Sequence, residues 1–259
     1  MNRVISEISE KDLGKSAIVF SPHPDDETLG CGGTIIKKRR AGAEVNIFFM
    51  TDGGKSHRHL ISENKLKALR ENEALAASRT LGLKENNVVF LEFEDGELSK
   101  NQDSAIPEVM EILLSQQPDE IFIPYYKEPA FWSQDHLATN RIATSALQRY
   151  RRRAVIYEYP VWFWYHWPWA SVPKHSPREF LNFLKNSLIG LNSLRDFRCS
   201  VYIGDILELK RAALYKYKSQ MTRLIPDPRW LTLGDVSNGE FVECFFQKHE
   251  IFHRYLFHG

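Results

Sequence analysis

Short apolar runs alternate with longer amphipathic segments over the first 160 residues. Runs with the length and composition of strands occupy residues 17–20, 45–50, 88–93, 120–124 and 155–159. Segments with apolar residues at helical spacing lie between them, at residues 27–40, 63–81, 106–114 and 136–149. Strands separated by helix-length segments are typical of βαβ crossovers and a parallel sheet. The pattern therefore predicts an α/β fold with a mostly parallel sheet, which would bind ligands at the carboxyl ends of its strands.

The pattern beyond residue 160 is weaker. It predicts an aromatic-rich loop, a helix, a strand, a second helix and a late strand, at residues 161–170, 179–194, 199–203, 206–220 and 241–246 respectively. The sequence has no repeats, low-complexity tracts or linkers. We therefore expect a single domain over residues 1–259, whose C-terminal third covers or extends the site.

Composition narrows the classes of function. The formal net charge is +1 over 259 residues, so no overall charge attracts nucleic acid. Three cysteines without a CxxC spacing indicate reduced thiols and a cytoplasmic protein. The first residues are polar, and no apolar stretch reaches the roughly 20 residues of a membrane helix. Loose membrane association and homo-oligomer formation stay open.

One segment, directly after the first predicted strand, concentrates chemically active side chains. Residues 21–27 read SPHPDDE, with one imidazole and three carboxylates within five residues. Catalytic zinc takes three protein ligands and keeps one position open. His23 and Asp26 are three apart across a turn fixed by Pro24, so both can face one ion, while a neighbouring carboxylate accepts a proton from water activated by the metal. The alternative is an acidic turn that caps the following helix.

A second pair, Asp135-His136, follows the fourth predicted strand and a loop. His136 can supply the third ligand, and Asp135 can orient a ligand imidazole by accepting its other N–H. Alone, such a pair is an ordinary helix start. Together with the first segment it predicts a metal site built from His23, Asp26 and His136.

Residues 23–33, HPDDETLGCGG, resemble the HPDDE-x-x-G-x-GG signature of the PIG-L/LmbE-like N-acetylglucosaminyl deacetylases. Weaker matches follow in the family's order: Thr51-Asp52-Gly53, Arg70-x-x-Glu73, Asp95-Gly96, Asp135-His136 and Lys218-Ser219-Gln220. The resemblance spans roughly residues 16–220. It implies a Rossmann-like three-layer sandwich, with helices on both faces of the sheet.

The resemblance also implies roles for individual residues. It implies one zinc ion, or another divalent metal, held by His23, Asp26 and His136. Asp25 would be the general base, and Asp135 would orient a ligand imidazole. Arg70 and Asp95 would contact the substrate, because guanidinium and carboxylate groups bind sugar hydroxyls. A helix-surface arginine and a turn aspartate are the plainer interpretations of the last two.

One position departs from the family. Residues 133–136 read SQDH where the family has HxDH, so Ser133 replaces the histidine that stabilises the tetrahedral intermediate. That task would fall to zinc alone or to a histidine from elsewhere: His57, His59 or His166. A slower reaction and a loss of activity are the other outcomes.

The predicted function is therefore a zinc-dependent hydrolase that removes the N-acetyl group from an N-acetylglucosamine-like sugar and releases acetate. The sugar would belong to a glycan, a glycolipid or a glycoconjugate precursor. Two alternatives stay open: an amidase for a larger amide or thiol conjugate, and a sugar-binding protein with weak catalysis. The aromatic stretch at residues 161–169 holds four of the six tryptophans, and it either walls a sugar site or packs internally or between subunits.

Overall fold

Eight strands form one sheet in the computed structural model, which describes residues 6–129, 134–165 and 193–258. In chain order they are β1 (Ser6–Glu7), β2 (Ala17–Ser21), β3 (Val45–Thr51), β4 (Val88–Phe93), β5 (Glu120–Pro124), β6 (Ala154–Tyr159), β7 (Cys199–Tyr202) and β8 (His249–Phe257). Across the sheet the order is β1-β7-β8-β6-β5-β2-β3-β4. β8 runs antiparallel to β6 and β7, and the other pairs of described strands are parallel.

Helices cover both faces of the sheet. Those described are α1 (Glu10–Leu13), α2 (Asp26–Arg40), α3 (Glu63–Thr80), α4 (Gln102–Gln116), α5 (Gln134–Tyr150), α6 (Leu207–Leu214), α7 (Lys218–Met221) and α8 (Glu240–Glu243). Val19 and Ile47 point into the core that α2 and α3 share, whereas Ile18 and Phe48 point into the core of α4 and α5. Since neighbouring strand residues face opposite cores, the predicted α/β sandwich with a mostly parallel sheet is confirmed.

Besides the short β1 and α1, which were not predicted, the errors of the sequence prediction lie in the C-terminal third. The late strand predicted at residues 241–246 is wrong, because these residues form α8 and the 3-10 turn Cys244–Phe246. A six-residue run that is apolar except for Glu243 satisfies either periodicity. The actual last strand, β8, mixes charged and apolar residues and was missed. The helix predicted at 206–220 is broken into α6 and α7.

Two predicted segments are only partly described. The helix predicted at residues 179–194 lies almost entirely outside the described residues. The aromatic stretch is described as far as residue 165, where Trp162–Tyr165 forms a 3-10 turn rather than an irregular loop. In the part of the chain that the structure describes, no helix combines the length and the apolar character needed to cross a bilayer.

The chain reverses its direction across the sheet at β2. From β2 it continues to β3 and β4 on one side, and then returns to β5 on the other side of β2. The loops that leave β2 and β5 diverge at such a reversal, and the resulting crevice binds ligands in open α/β sheets. Residues 23–27 leave β2 at this point, and His136 lies in the first turn of α5, after β5. The topology therefore brings the two predicted halves of the metal site to one crevice.

Candidate metal centre

The turn after β2 is fixed by its own hydrogen bonds. Ser21 donates its hydroxyl to the carbonyl oxygen of His23 at 2.8 Å and accepts the backbone N–H of Glu27 at 3.1 Å. Thr51, at the end of β3, donates its hydroxyl to the carbonyl oxygen of Pro22 at 2.8 Å. The side chains that follow β2 therefore project from a backbone with one defined conformation.

The three predicted metal ligands meet in the crevice. His23 Nδ1 lies 3.1 Å from Asp26 Oδ2, and His136 Nε2 lies 3.2 Å from the same oxygen. The two imidazole rings have their centroids 5.4 Å apart. One ligand atom from each of the three residues lies within 4.8 Å of the others. These separations allow all three side chains to contact one ion.

The surroundings of His136 suit a metal ion. Its side chain is fully buried, yet neither ring nitrogen has a hydrogen-bond partner among the described residues. Nε2 is near Asp26 Oδ2 but is not aligned for a hydrogen bond with it. Buried polar atoms without a partner are rare and cost free energy. A cation between the two groups would satisfy both, and two imidazoles with one carboxylate form a donor set that zinc accepts.

The charges around the triad also call for a cation. Burial raises the pKa of Asp26, but the imidazoles of His136 and His23 outweigh burial and hold this pKa well below its usual range. Burial lowers the pKa of His23, but hydrogen bonds with Asp135, Asp26 and Asp95 outweigh it and raise this pKa well above the ordinary value. Three carboxylates, those of Asp26, Asp95 and Asp135, thus lie within 3.3 Å of the His23 imidazole, and they would stabilise a bound cation.

A second group of three side chains shares His23. Its Nε2 lies 3.2 Å from Asp135 Oδ2 and 3.3 Å from Asp95 Oδ1. Both carboxylates already accept backbone N–H groups: Asp135 from Gly96 at 2.6 Å and Asp95 from Lys55 at 2.9 Å. Through these contacts, Asp135 and Asp95 connect the backbone at Gly96 and at Lys55 to the imidazole of His23. The group with His136 is the better candidate for the ion, because the two ring nitrogens of His136 have no hydrogen-bond partner among the described residues.

Asp25 has an unusual backbone conformation. Its φ is 134°, in a region that residues with a side chain rarely enter and that costs about 1–3 kcal/mol. Glu27 accepts the Asp25 backbone N–H at 3.1 Å, and Arg70 Nη2 lies 3.2 Å from Asp25 Oδ1. Burial raises the pKa of Asp25 well above its usual range, against the opposing charge of Arg70. A raised pKa makes a carboxylate a stronger base.

Arg70, from α3, supports the turn that carries Asp25. Its guanidinium donates to the carbonyl oxygens of Pro24 and Gly53. A side chain at position 53 would collide with Arg70, because a Cβ on Gly53 would lie 2.8 Å from Arg70 Nη1. The φ of Gly53, 61°, also favours glycine. The side chain of Arg70 is only 3% exposed. Nη1 and Nη2 therefore bond inside the protein and hold the Asp25 turn in place, whereas Nε has no hydrogen-bond partner among the described residues.

Glu27 is a buried member of the site that the sequence analysis assigned to no role. Besides the Asp25 N–H, it accepts the hydroxyl of Tyr217 at 2.6 Å. Tyr217 lies between α6 and α7, and the sequence carried no signal for this contact. Glu27 therefore links the metal turn to the C-terminal part of the chain.

Comparison with known proteins identifies the family. The profile of the PIG-L family, described as GlcNAc-PI de-N-acetylase, matches residues 18–147, half of the chain. The matched stretch contains every predicted site residue, from His23 to His136. The chain belongs to the PIG-L family. The family that the sequence motifs indicated is therefore confirmed.

Several proteins that are similar to this chain in sequence or structure are named as sugar deacetylases. The diacetylchitobiose deacetylase of Thermococcus kodakarensis is 23% identical, over 83% of this chain and 72% of its own length. A 1D-myo-inositol 2-acetamido-2-deoxy-α-D-glucopyranoside deacetylase from a Mycobacterium species is 24% identical, over 77% of this chain and 72% of its own. The structure of N,N'-diacetylchitobiose deacetylase from Pyrococcus horikoshii matches with a TM-score of 0.66 and 24% identity, over 93% of this chain and 84% of that one. At this identity the structural match shows a shared fold.

The site of this PIG-L protein opens on a cavity of about 620 Å³, within the range of about 300–1,000 Å³ that is typical of small-ligand sites. Five predicted site residues line it: His23, Asp25, Asp26, Arg70 and Asp95. Much of the remaining lining comes from residues 55–59, 161–165 and 229–237. The sequence analysis singled out His57, His59 and the aromatic stretch, but it found no signal for the third segment.

Two expectations concern residues that the structure does not describe. Ser133 and His166 both lie outside the described residues. His57 is described, and both of its ring nitrogens have partners: Nδ1 lies 3.0 Å from the Ser56 hydroxyl and Nε2 lies 2.8 Å from the carbonyl oxygen of Leu231. His57 is therefore a poor substitute for the family's histidine in this conformation.

Proposed function

We propose that this PIG-L protein is a metal-dependent N-deacetylase that hydrolyses the acetamido group of an N-acetylglucosamine-like sugar and releases acetate. The observation that carries the proposal is the meeting of His23, Asp26 and His136 in one group, of which His23 and Asp26 line the cavity together with Asp25. Family membership supports the reaction class. The sugar deacetylases among its relatives support the class of substrate.

We propose zinc as the metal, with one ion held by His23, Asp26 and His136. When bound, the ion supplies Lewis-acid activation of water and of the amide carbonyl. Asp135, at 3.2 Å from His23 Nε2, orients this imidazole toward the other two ligands. Another divalent metal that accepts nitrogen and oxygen ligands would fit the same group.

Asp25 performs the proton transfers in this proposal. It accepts a proton from the attacking water and then donates it to the leaving nitrogen, so that the sugar departs as a neutral amine. The raised pKa of Asp25 strengthens it as the proton acceptor in the first step. Asp95 borders the cavity and accepts a hydrogen bond from a sugar hydroxyl. Arg70 also borders the cavity, and its support of the Asp25 turn orients the base.

An acetate-release screen tests the function. Zinc-loaded protein is incubated with N-acetylglucosamine, with N-acetylglucosaminides and with bulkier amides of glucosamine, and the Asp25→Asn variant is the control. We expect acetate from the N-acetyl sugars with the wild type and none above background with the variant. Cleavage of only the bulkier amides would point to the amidase alternative. Stoichiometric zinc without cleavage of any amide would leave a sugar-binding protein and overturn the proposal.

We further propose a cytoplasmic protein with a single domain over residues 1–259. Cys31, Cys199 and Cys244 are free thiols in the structure, which agrees with a reducing compartment. One cooperative unfolding transition of the full chain is the expected result for a single domain. Two separated transitions would contradict it.

A further inference from the structure

The cavity has two unlike sides. His23, Asp26, Asp25 and Asp95 form the polar side. On another side stands a group of apolar side chains that we call the apolar rim: Trp162, Tyr165, Leu231 and Val236. Leu233 and Phe241 also line the cavity and join the rim to the core. An apolar part of the lining binds apolar surface of a ligand, either the C–H face of a sugar or an apolar group that the sugar carries.

Leu231 is the most exposed of the described large apolar side chains, at 63%. A single exposed leucine is common, but the backbone of this one is held on both sides. Trp230 before it is fully buried and donates its indole N–H to the Ser219 carbonyl oxygen at 3.0 Å. His57 stacks on Trp230 at 4.3 Å and donates Nε2–H to the Leu231 carbonyl oxygen. The protein therefore holds an exposed apolar side chain at a fixed place on the cavity.

The aromatic part of the rim is fixed as well. Trp162 stacks on Phe241, with ring centroids 5.0 Å apart and planes at 19°. The buried carboxyl of Glu128 accepts the Val161 backbone N–H at 2.7 Å, at the start of the turn that carries Trp162 and Tyr165. Both parts of the rim thus exist before a ligand binds, and preformed apolar surface binds apolar groups at a low ordering cost.

Charged side chains line the cavity as well. Three charged residues that line the cavity near the rim have ion-pair partners within the protein: Lys55 with Glu94, Arg229 with Asp227, and Asp235 with Arg223. Each of these pairs has a separation of 2.6 Å. The rim is therefore bordered by compensated charge, and its own contribution to binding is apolar contact.

We infer that the substrate is a glycoside in which the N-acetylglucosamine-like sugar carries an apolar group, and that this group binds against the apolar rim. The inference rests on the proposed function, because the polar side is assigned there to the acetamido sugar. The cavity of about 620 Å³ leaves room beyond one sugar ring, within the range for drug-sized ligands. The apolar group is alkyl or aryl, and removal of its surface from water supplies the affinity.

Four substrates and one pair of leucine variants test the inference. The substrates are N-acetylglucosamine, its hexyl and phenyl β-glycosides, and N,N'-diacetylchitobiose. We expect kcat/KM for at least one apolar glycoside to exceed that of the free sugar about tenfold. Leu231→Ala should reduce this ratio about fivefold. Leu224→Ala is the matched control, because Leu224 is 42% exposed in the same part of the chain and is not among the described cavity residues.

The outcomes distinguish a lipid-like group, an aromatic group and a second sugar as the occupant of the apolar rim. A larger ratio for the hexyl glycoside indicates a lipid-like group, and a larger ratio for the phenyl glycoside indicates an aromatic one. A preference for the disaccharide alone would assign the rim to a second sugar and overturn the inference. So would a ratio near one in the wild type, or an unchanged ratio in Leu231→Ala.

Binding without turnover separates this inference from the proposed function. Hexyl β-glucoside has no acetamido group, and its binding is measured by calorimetry. We expect the Kd to rise about fivefold in Leu231→Ala and to stay the same in Leu224→Ala. Such a result without acetate release from any substrate would overturn the function and keep the apolar subsite. Acetate release without this binding and without a glycoside preference would overturn the inference alone.

Discussion

His136 and Asp25 differ in the neighbours that surround them. His136 is buried with no hydrogen-bond partner for either nitrogen among the described residues, so its position suits a cation. Asp25 is held in a strained conformation by Arg70 and by Glu27, and its pKa is raised by burial. Because the two residues depend on different neighbours, metal binding and proton transfer should be separable by mutation.

Asp25→Asn should remove the base and keep the metal. Asparagine has nearly the same shape and tolerates a positive φ better than most residues. We expect kcat to fall at least about 100-fold, the usual contribution of a general base. Metal content, measured by elemental analysis of the purified protein, should equal that of the wild type. A variant without metal would show that Asp25 is a ligand and that the proposed division of roles is wrong.

Arg70→Lys should weaken both the fold and the reaction. Lysine has a single ammonium group and cannot reach Pro24, Gly53 and Asp25 together, as the guanidinium does. We expect a loss of about 2 kcal/mol in the free energy of unfolding, measured by urea denaturation, together with a lower kcat. Arg79→Lys is the matched control, because Arg79 is in the same helix with its side chain 55% exposed. Equal effects of the two changes would show that Arg70 is an ordinary surface residue.

At the scale of helices and strands, the sequence predicted well where one periodicity is clear. The strands β2, β3 and β5 are almost entirely buried, so their apolar runs were unambiguous. β8 has charged residues at Glu250 and Arg254, so its apolar pattern is weak. It pairs antiparallel with β6 and β7, which are distant in sequence, and no local pattern predicts such pairing. The 3-10 turn Trp162–Tyr165 depends on Glu128, which is 33 residues away from Val161. Such contacts are set by the tertiary fold.

Glu128 makes the stability of this turn depend on pH. Burial raises the pKa of Glu128 to about 8, well above the 4.5 that is ordinary for a glutamate. The folded state therefore binds this proton more tightly than the unfolded state does, and the stabilisation is complete below pH 4.5 and lost as the pH rises through about 8. Glu128→Gln keeps an oxygen for the Val161 N–H and cannot ionise. It should be more stable than the wild type at high pH.

The difference between the two proteins should grow with pH. Between pH 6 and pH 9, the free energy of unfolding of the wild type should fall relative to that of Glu128→Gln by about 3 kcal/mol. Denaturant unfolding at several pH values measures it. Glu44→Gln, a change at an exposed carboxylate, is the control and should follow the wild type. A constant difference between wild type and Glu128→Gln would mean that Glu128 is ionised in the folded state throughout.

At the scale of the whole molecule, the parallel sheet made the meeting of the proposed metal ligands predictable. Ligands after β2 and after β5 meet because the chain reverses between these two strands, and the HPDDE run marked one of them. The rest of the cavity follows no such rule. The segment around Leu231 is placed by the hydrogen bond with His57, 174 residues earlier, and by the burial of Trp230. The sequence therefore predicted which side chains meet after β2 and β5, but the apolar rim required the structure.

The metal should also stabilise the whole domain, because its ligands join the turn after β2 to α5. An ion that binds only the folded chain adds about 2.7 kcal/mol when its free concentration is 100 times the Kd. For a chain of this size we expect zinc to raise Tm by about 5–10 °C over the chelated protein. Scanning calorimetry with zinc and with a chelator measures the shift. His136→Asn should lose most of it, whereas Asp25→Asn should keep it. An equal shift in His136→Asn and the wild type would mean that the ion binds elsewhere, and the assignment of His23, Asp26 and His136 as its ligands would fall.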